Sequence, residues 1–175
     1  MIYEPREDSH LLENEVAKCA KGRKVLDIGS GSGIQAKAAL KSGAKSVLCA
    51  DIGYEVIKFL KKKGLDAIQS DLFENVNEKF DLIVFNPPYL PYDEREDSES
   101  ARTTSGGKRG DEIIARFLKD AKKHLNDKGI ILLVVSSLTP LEKINKILDK
   151  QGFRKEVVGE KKLFMERLWV WKIDI

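Results

Sequence analysis

Three carboxylates and a glycine turn carry the first chemical signal. Asp27 lies just ahead of Gly29-Ser30-Gly31-Ser32-Gly33, in the stretch VLDIGSGSGI, and Asp51 and Asp71 each close a later apolar run. Missing side chains at Gly29, Gly31 and Gly33 let a ligand lie against backbone N–H groups where a strand passes into a helix. Asp27 inside such a turn repels a pyrophosphate and receives an ammonium group. Asp51 can accept two ribose hydroxyls, and Asp71, in the stretch SDLF, can meet an adenine edge. A lone Asp at a strand end is usually a turn former or a helix cap. Three of them, at the same edge as a glycine turn, describe a pocket for a cationic nucleoside. The spacing is GxGxG, with Ile34 where the dinucleotide fingerprint needs glycine or alanine, so NAD is the second choice of cofactor. The other signal is FDLIVFNPPY (residues 80–89), an apolar run halted on Asn86-Pro87-Pro88-Tyr89. Two prolines in a row continue neither strand nor helix.

The elements that must position these residues follow from periodicity. Short apolar runs rich in β-branched residues at 24–28, 46–51, 66–71, 80–85 and 129–137 read as strands buried on both faces. Helical patterns at 8–21, 34–42, 54–63, 110–125 and 140–150 separate them, with Pro140 suited to a first turn. Strand alternating with helix predicts a doubly wound, mostly parallel sheet. At the C-terminal end the runs 153–160 and 163–173, separated by Lys161-Lys162, predict an antiparallel hairpin. Trp169 and Trp171 fall on one face of its second strand and read as packing residues.

Composition narrows the class. At 175 residues the chain suits one domain spanning 1–175, which would bury roughly 70% of its unfolded surface. Lys and Arg number 31 against 28 Asp and Glu, a net charge of +3, too small to announce a nucleic-acid binder. Cys19 and Cys49 form no CxxC pair, and His10 and His124 are the only histidines. No zinc-type spacing results, so no protein metal site is expected, and neither histidine is given a catalytic role. The N-terminus lacks signal-peptide blocks, and no apolar run approaches the ~18 residues of a membrane span. The expected location is cytoplasmic.

Taken in order, DIGSGSG, Asp51, SDLF and NPPY resemble the class I S-adenosylmethionine (AdoMet) methyltransferases. NPPY looks like the motif of enzymes that methylate planar NH₂ nitrogens: the glutamine side-chain amide, N6 of adenine or N2 of guanine. Such a nitrogen is a poor nucleophile while its lone pair is delocalised. If the Asn86 side-chain oxygen and the Pro87 carbonyl accept its two hydrogens, the pair can be aimed at an electrophilic methyl. Pro88 would hold the backbone rigid, and Tyr89 would pack on the flat target group. YEPREDSHLL (residues 3–12) and SGGKRGDEIIARFL (residues 105–118) narrow the likeness to the archaeal and eukaryotic branch of HemK/PrmC-type release-factor glutamine methyltransferases. The resemblance implies a Rossmann-like seven-stranded sheet and AdoMet contacts from Ser9, Asp27, Gly29, Asp51, Asp71, Leu72 and Asn86. It also implies substrate positioning by Asn86, Pro87 and Tyr89. The acceptor it implies is the glutamine of a Gly-Gly-Gln loop; the alternatives are a nucleic-acid base methyltransferase and a nucleotide-binding module without catalysis.

Two expectations concern partners. In the strand order of this fold the third strand lies at a sheet edge, leaving residues 65–70 with one unpaired row of backbone groups and Ile68 facing outward. Members of the same branch pair with a small zinc-binding activator of the Trm type, which the resemblance places at that edge. Residues 92–110, rich in charge, Ser and Gly, are either a solvated loop or a lid over the site. Arg102, Lys108 and Arg109 lie within them.

Overall fold

A computed structural model describes residues 4–90 and 104–175; the expectations for Arg102 and most of the 92–110 segment lie outside the described residues. The elements run α1 (Glu7–Cys19), β1 (Lys24–Ile28), α2 (Ile34–Lys41), β2 (Ser46–Asp51), α3 (Tyr54–Lys62), β3 (Ala67–Gln69), β4 (Phe80–Phe85), α4 (Glu112–Ala121), β5 (Leu125–Ser136), α5 (Glu142–Gln151), β6 (Arg154–Leu163) and β7 (Glu166–Asp174). One seven-stranded sheet has the order β3-β2-β1-β4-β5-β7-β6. The pairs among β1 to β5 are parallel, and β7 runs antiparallel to both β5 and β6.

Each central strand is apolar on both faces because helices cover both. The period of two sends Leu26, Ile28, Ile83, Phe85, Ile131 and Leu133 to one side, where they meet Ile114, Phe117 and Leu118 of α4 and Ile144 and Leu148 of α5. Val25, Leu82, Val84, Leu132 and Val134 go to the other, against Leu12 and Val16 of α1, Ala36 and Ala39 of α2 and Leu60 of α3. Burying a side chain such as Leu26 or Ile83 contributes about 1.5–3 kcal/mol. Both tryptophans belong to the first of these layers, Trp171 within it and Trp169 at its margin, as packing residues should.

Several boundaries differ from expectation for local reasons. β3 is only three residues long, so Asp71 stands beyond its end rather than at it. β5 begins earlier: Leu125 pairs with Phe80, the chain then departs from register with Lys128 at φ +61°, and pairing resumes at Ile130–Leu82. α4 ends at Ala121, and residues 122–124 tighten into a 3₁₀ turn. Pro140 precedes α5 and its N-cap Leu141 instead of entering the first turn. Lys161 and Lys162 lie inside β6, opposite Leu168 and Arg167, and the reversal falls on Phe164-Met165, with Met165 at φ +58°. Turning two residues later lets Leu168 and Trp171 reach the core. Among the described residues no helix is long and apolar enough to cross a membrane.

The sheet order creates the site. β1 continues outward through β2 to β3, whereas β4 continues through β5, so the connections leave their shared border in opposite directions. Ligands of open α/β sheets bind beyond the carboxyl ends of the strands at such a point. Ile28 is in register with Phe85, which makes the turn after β1 and the Asn86-Pro87-Pro88-Tyr89 segment after β4 neighbours.

Candidate active site

A cleft of about 1340 Å³ opens at this border, and every site residue expected from the sequence lines it: Ser9, Asp27, Gly29, Asp51, Asp71, Leu72, Asn86, Pro87 and Tyr89. His10 and His124 do not. His124 stacks on Phe73 with ring centroids 4.5 Å apart, and His10 sits 3.2 Å from Glu13 Oε2 on the surface. Among the described residues no group of three or more His, Cys, Asp or Glu could hold a metal ion.

On one side of the cleft the glycine turn is locked by its own hydrogen bonds. Gly29 N donates to Ala50 O (2.7 Å) and Gly33 N to Ser30 O (2.7 Å), and Gly31 N donates to Asp51 Oδ2 (3.1 Å). These glycine N–H groups are therefore spent within the protein, contrary to the expectation that they face a ligand. What the turn offers is shape and a negative lining, which suits a cation and not a phosphate. Gly33 has a further reason to be glycine. At φ +76° it caps α2, and a Cβ there would lie 2.9 Å from side-chain carbons of both Leu60 and Leu65, so it secures helix packing rather than ligand approach.

The three acids differ in setting. Asp27 is 2% exposed, and its Oδ2 is enclosed without a hydrogen-bond partner among the described residues. Burial first, with the Asp51 carboxylate adding to it, pushes the Asp27 pKa up to about 7. Asp51 is half-buried and clamps two turns at once, taking Gly31 N on Oδ2 and Gly53 N on Oδ1 at 2.9 Å. Asp71 accepts from Arg116 Nη2 at 2.9 Å in an exposed pair, a contact invisible in the sequence and of small energetic weight. Leu72 beside it adopts φ +51°, a turn that a leucine rarely makes.

On the other side Phe85 anchors the end of β4, 2% exposed and with its ring centroid 4.6 Å from that of Phe117. Asn86 follows. Its Nδ2 donates to Asp8 Oδ2 at 3.1 Å, while its Oδ1 is enclosed with no partner among the described residues. The backbone beyond is braced from two directions: Thr139 Oγ1 donates to Tyr89 O at 3.1 Å, and Leu90 pairs with the 104–106 strip, donating to Thr104 O (2.9 Å) and accepting from Gly106 N (2.8 Å). Gly106 must be glycine, because a Cβ there would sit 2.4 Å from Gly110 O and 2.7 Å from Pro88 O. Asp8, Gly106 and Thr139 were not singled out from the sequence. For Asp8 and Gly106 the one available signal was position, in the two stretches, YEPREDSHLL and SGGKRGDEIIARFL, that narrowed the resemblance; Thr139 carried none.

The sequence matches the methyltransferase small domain family over residues 7–165. The chain belongs to that family. It is similar to MJ0928 of Methanocaldococcus jannaschii, named for protein N5-glutamine methyltransferase activity, with 40% identity over 184 aligned residues that cover 98% of this chain and 92% of the relative. It is also similar to the human methyltransferase HEMK2, 30% identical over 189 residues, covering 98% of this chain and 88% of the human protein. Among solved structures it resembles the E. cuniculi Mtq2–Trm112 complex, described as responsible for methylating the translation termination factor eRF1. The match has a TM-score of 0.80, covers 98% of this chain and 97% of that one, and at 24% identity shows a shared fold. That fold is the class I methyltransferase fold expected from the sequence.

Proposed function

We propose that this methyltransferase moves a methyl group from AdoMet to the side-chain amide nitrogen of a glutamine in a peptide-chain release factor. The observation that carries the reading is the Asn86 amide oxygen, enclosed in the cleft and without a partner among the described residues. A buried acceptor left unsatisfied is unfavourable by about 1–3 kcal/mol, and an incoming N–H satisfies it. The names of the relatives supply the acceptor: protein N5-glutamine for MJ0928 and eRF1 for the fission-yeast relative, described as the catalytic subunit of an eRF1 methyltransferase and 29% identical over 98% of this chain.

The cleft fits AdoMet on this chain's own features. Asp27 holds an unpartnered carboxylate oxygen for the ligand's ammonium group, Asp51 stands at the end of β2 for the ribose hydroxyls, and Asp71 and Leu72 border the adenine region. Ser9 and the backbone at Gly29 complete the wall. Bound there, AdoMet supplies a methyl group activated by a positively charged sulfur. Asn86 Oδ1 and the Pro87 carbonyl hold the two hydrogens of the acceptor nitrogen, which turns its lone pair out of conjugation and toward the methyl. Tyr89, half-buried against both core layers, stacks on the planar amide.

Incubating the protein with methyl-labelled AdoMet and release factor tests this, with tRNA, ribosomal RNA and DNA as parallel acceptors. Label is expected on the release factor and is lost when its Gly-Gly-Gln glutamine becomes alanine. Label that persists there, or that goes instead to nucleic acid, overturns the acceptor assignment. The same reading places the protein in the cytoplasm, with translation.

A small activator of the Trm type, zinc-binding in the branch that the sequence resembles, is proposed to add to the free edge of β3. Supporting it, β3 pairs only with β2 among the described strands, and Mtq2 was solved with Trm112. Ile68 is not the outward residue expected: it is half-buried and packs on the core, so a charge placed there would damage the fold. Light scattering of the two proteins mixed at micromolar concentration tests the pairing; no complex together with full activity overturns it.

A further inference from the structure

Resting on the glutamine-methylation reading, we propose that Asp8 is a positioning residue that decides which end of the Asn86 amide faces the acceptor. Asp8 is 5% exposed, in the first turn of α1 and 78 positions from Asn86 in the chain. Its two oxygens divide the work. Oδ1 accepts from its neighbour Ser9, N at 2.7 Å and Oγ at 3.4 Å, and Oδ2 accepts from Asn86 Nδ2 at 3.1 Å. The carbonyl of Ser9 in turn accepts from Gln35 Nε2 at 2.8 Å, and Gln35 is itself buried in α2. The carboxylate is thereby held in place through the oxygen that does not meet Asn86.

An asparagine amide is nearly symmetric in shape and opposite in polarity at its two ends. A carboxylate only accepts, whereas the amide NH₂ only donates. Flipping Asn86 by half a turn would set its oxygen against Asp8 Oδ2, acceptor to acceptor, in a buried place. It would also present NH₂ to a substrate nitrogen that is itself donating two hydrogens. Asp8 removes that choice before any substrate arrives. Electrostatic preorganisation of this kind accelerates a reaction without adding to ground-state binding.

An acidic residue in the first turn of a helix also favours the helix through its dipole, so loss of activity alone cannot assign the role. Asp8→Asn separates the two. The new side chain keeps an oxygen for Ser9 N and turns only the atom facing Asn86 from acceptor to donor. Turnover on release factor is expected to fall roughly 10–100-fold, with KM for release factor and affinity for AdoMet by calorimetry within about threefold of wild type. Asn86→Asp alone places two carboxylates face to face and should fall at least as far. The reciprocal exchange, Asp8→Asn with Asn86→Asp, restores one donor facing one acceptor and leaves an oxygen toward the substrate; it is expected to recover most of the lost turnover.

A second readout needs neither cofactor nor catalysis. In the cofactor-free protein the Asn86 side-chain ¹⁵NH₂ resonances should be shifted and slow to exchange, and both properties should change in Asp8→Asn. Wild-type turnover in Asp8→Asn, unmoved Asn86 resonances, or a double variant no better than the weaker single one would each overturn the role of Asp8. Should wild-type protein label no release factor, the functional reading fails, and the resonances still decide whether Asp8 orients Asn86.

Discussion

The two walls of the cleft are built in different ways. The cofactor wall is drawn mainly from two adjacent strand ends: the turn after β1 is closed by Ala50 and Asp51 of β2 and by its own Ser30, and Asp51 clamps Gly31 and Gly53 together. The acceptor wall is assembled from elements that are not neighbouring strands. Asn86 is held by Asp8 from α1, Tyr89 by Thr139 from beyond β5, and Leu90 by the 104–106 strip. A wall knit by several bonds between two adjacent strand ends is expected to lose affinity gradually when one is removed. One braced from separate elements is expected to lose geometry when a brace is removed. Damage on the two sides should therefore be separable, with turnover failing on one and binding on the other.

The largest effect is expected at Asn86. Asn86→Ala removes the enclosed acceptor and should lower methyl transfer by roughly 10²–10³-fold, by analogy with lost oxyanion-hole donors, while calorimetric affinity for AdoMet stays near wild type. Full turnover in this variant would remove the distinction between the walls. Tyr89→Ala should be milder, since packing on the amide can be partly replaced.

Gly106→Ala probes the same wall through a residue that touches no reacting group. The added methyl cannot coexist with Gly110 O and Pro88 O at their present distances, so the strip bracing the Pro88 backbone must shift. A shift near 1 Å at reacting groups can cost on the order of 10²-fold; turnover is expected to fall roughly 10–100-fold, with AdoMet affinity retained. Equal losses in affinity and turnover would show the two walls to be coupled.

On the cofactor wall, Asp51→Ala should weaken AdoMet binding by about 1.5–3 kcal/mol, the usual contribution of hydrogen bonds to a charged group. A folded variant with unchanged affinity would end the ribose assignment.

The smallest effect is a pH dependence. With its pKa raised to about 7 in the fold, Asp27 keeps a proton that the unfolded chain has released above about pH 4. At this group the folded state binds more protons across that window, so the Asp27 contribution to the stability of the free protein falls as pH rises from about 4 to 7 and levels off above. A cationic ligand selects the ionised form. AdoMet affinity should therefore rise roughly tenfold between pH 5.5 and 7 as the ionised fraction grows, with proton release visible by calorimetry in buffers of different ionisation enthalpy. Asp27→Asn should remove the Asp27 contribution from both profiles; a wild-type affinity that does not change with pH would place the ammonium elsewhere.

Much of this was legible in the chain itself. Runs such as VLDI and FDLIVF, apolar on both faces apart from one Asp each, read as strands covered on both sides, and their alternation with helices leaves few topologies. NPPY could not extend a strand, so its position at a strand end followed from proline chemistry alone. The chain did not reveal that Lys161 and Lys162 remain within a strand, because the turn position is set by which residues of β7 must reach the core. Nor could it show that the glycine N–H groups are consumed internally, since a hydrogen bond to Ala50 or Asp51 depends on how closely β1 and β2 approach. Local sequence chose the chemical groups, because propensity and side-chain type act over a few residues. Only tertiary structure decided their orientation: Asp8 and Asn86 meet because α1 packs across α2, β5 and β6 and brings its first turn to the end of β4, and a buried donor must find an acceptor wherever the fold supplies one.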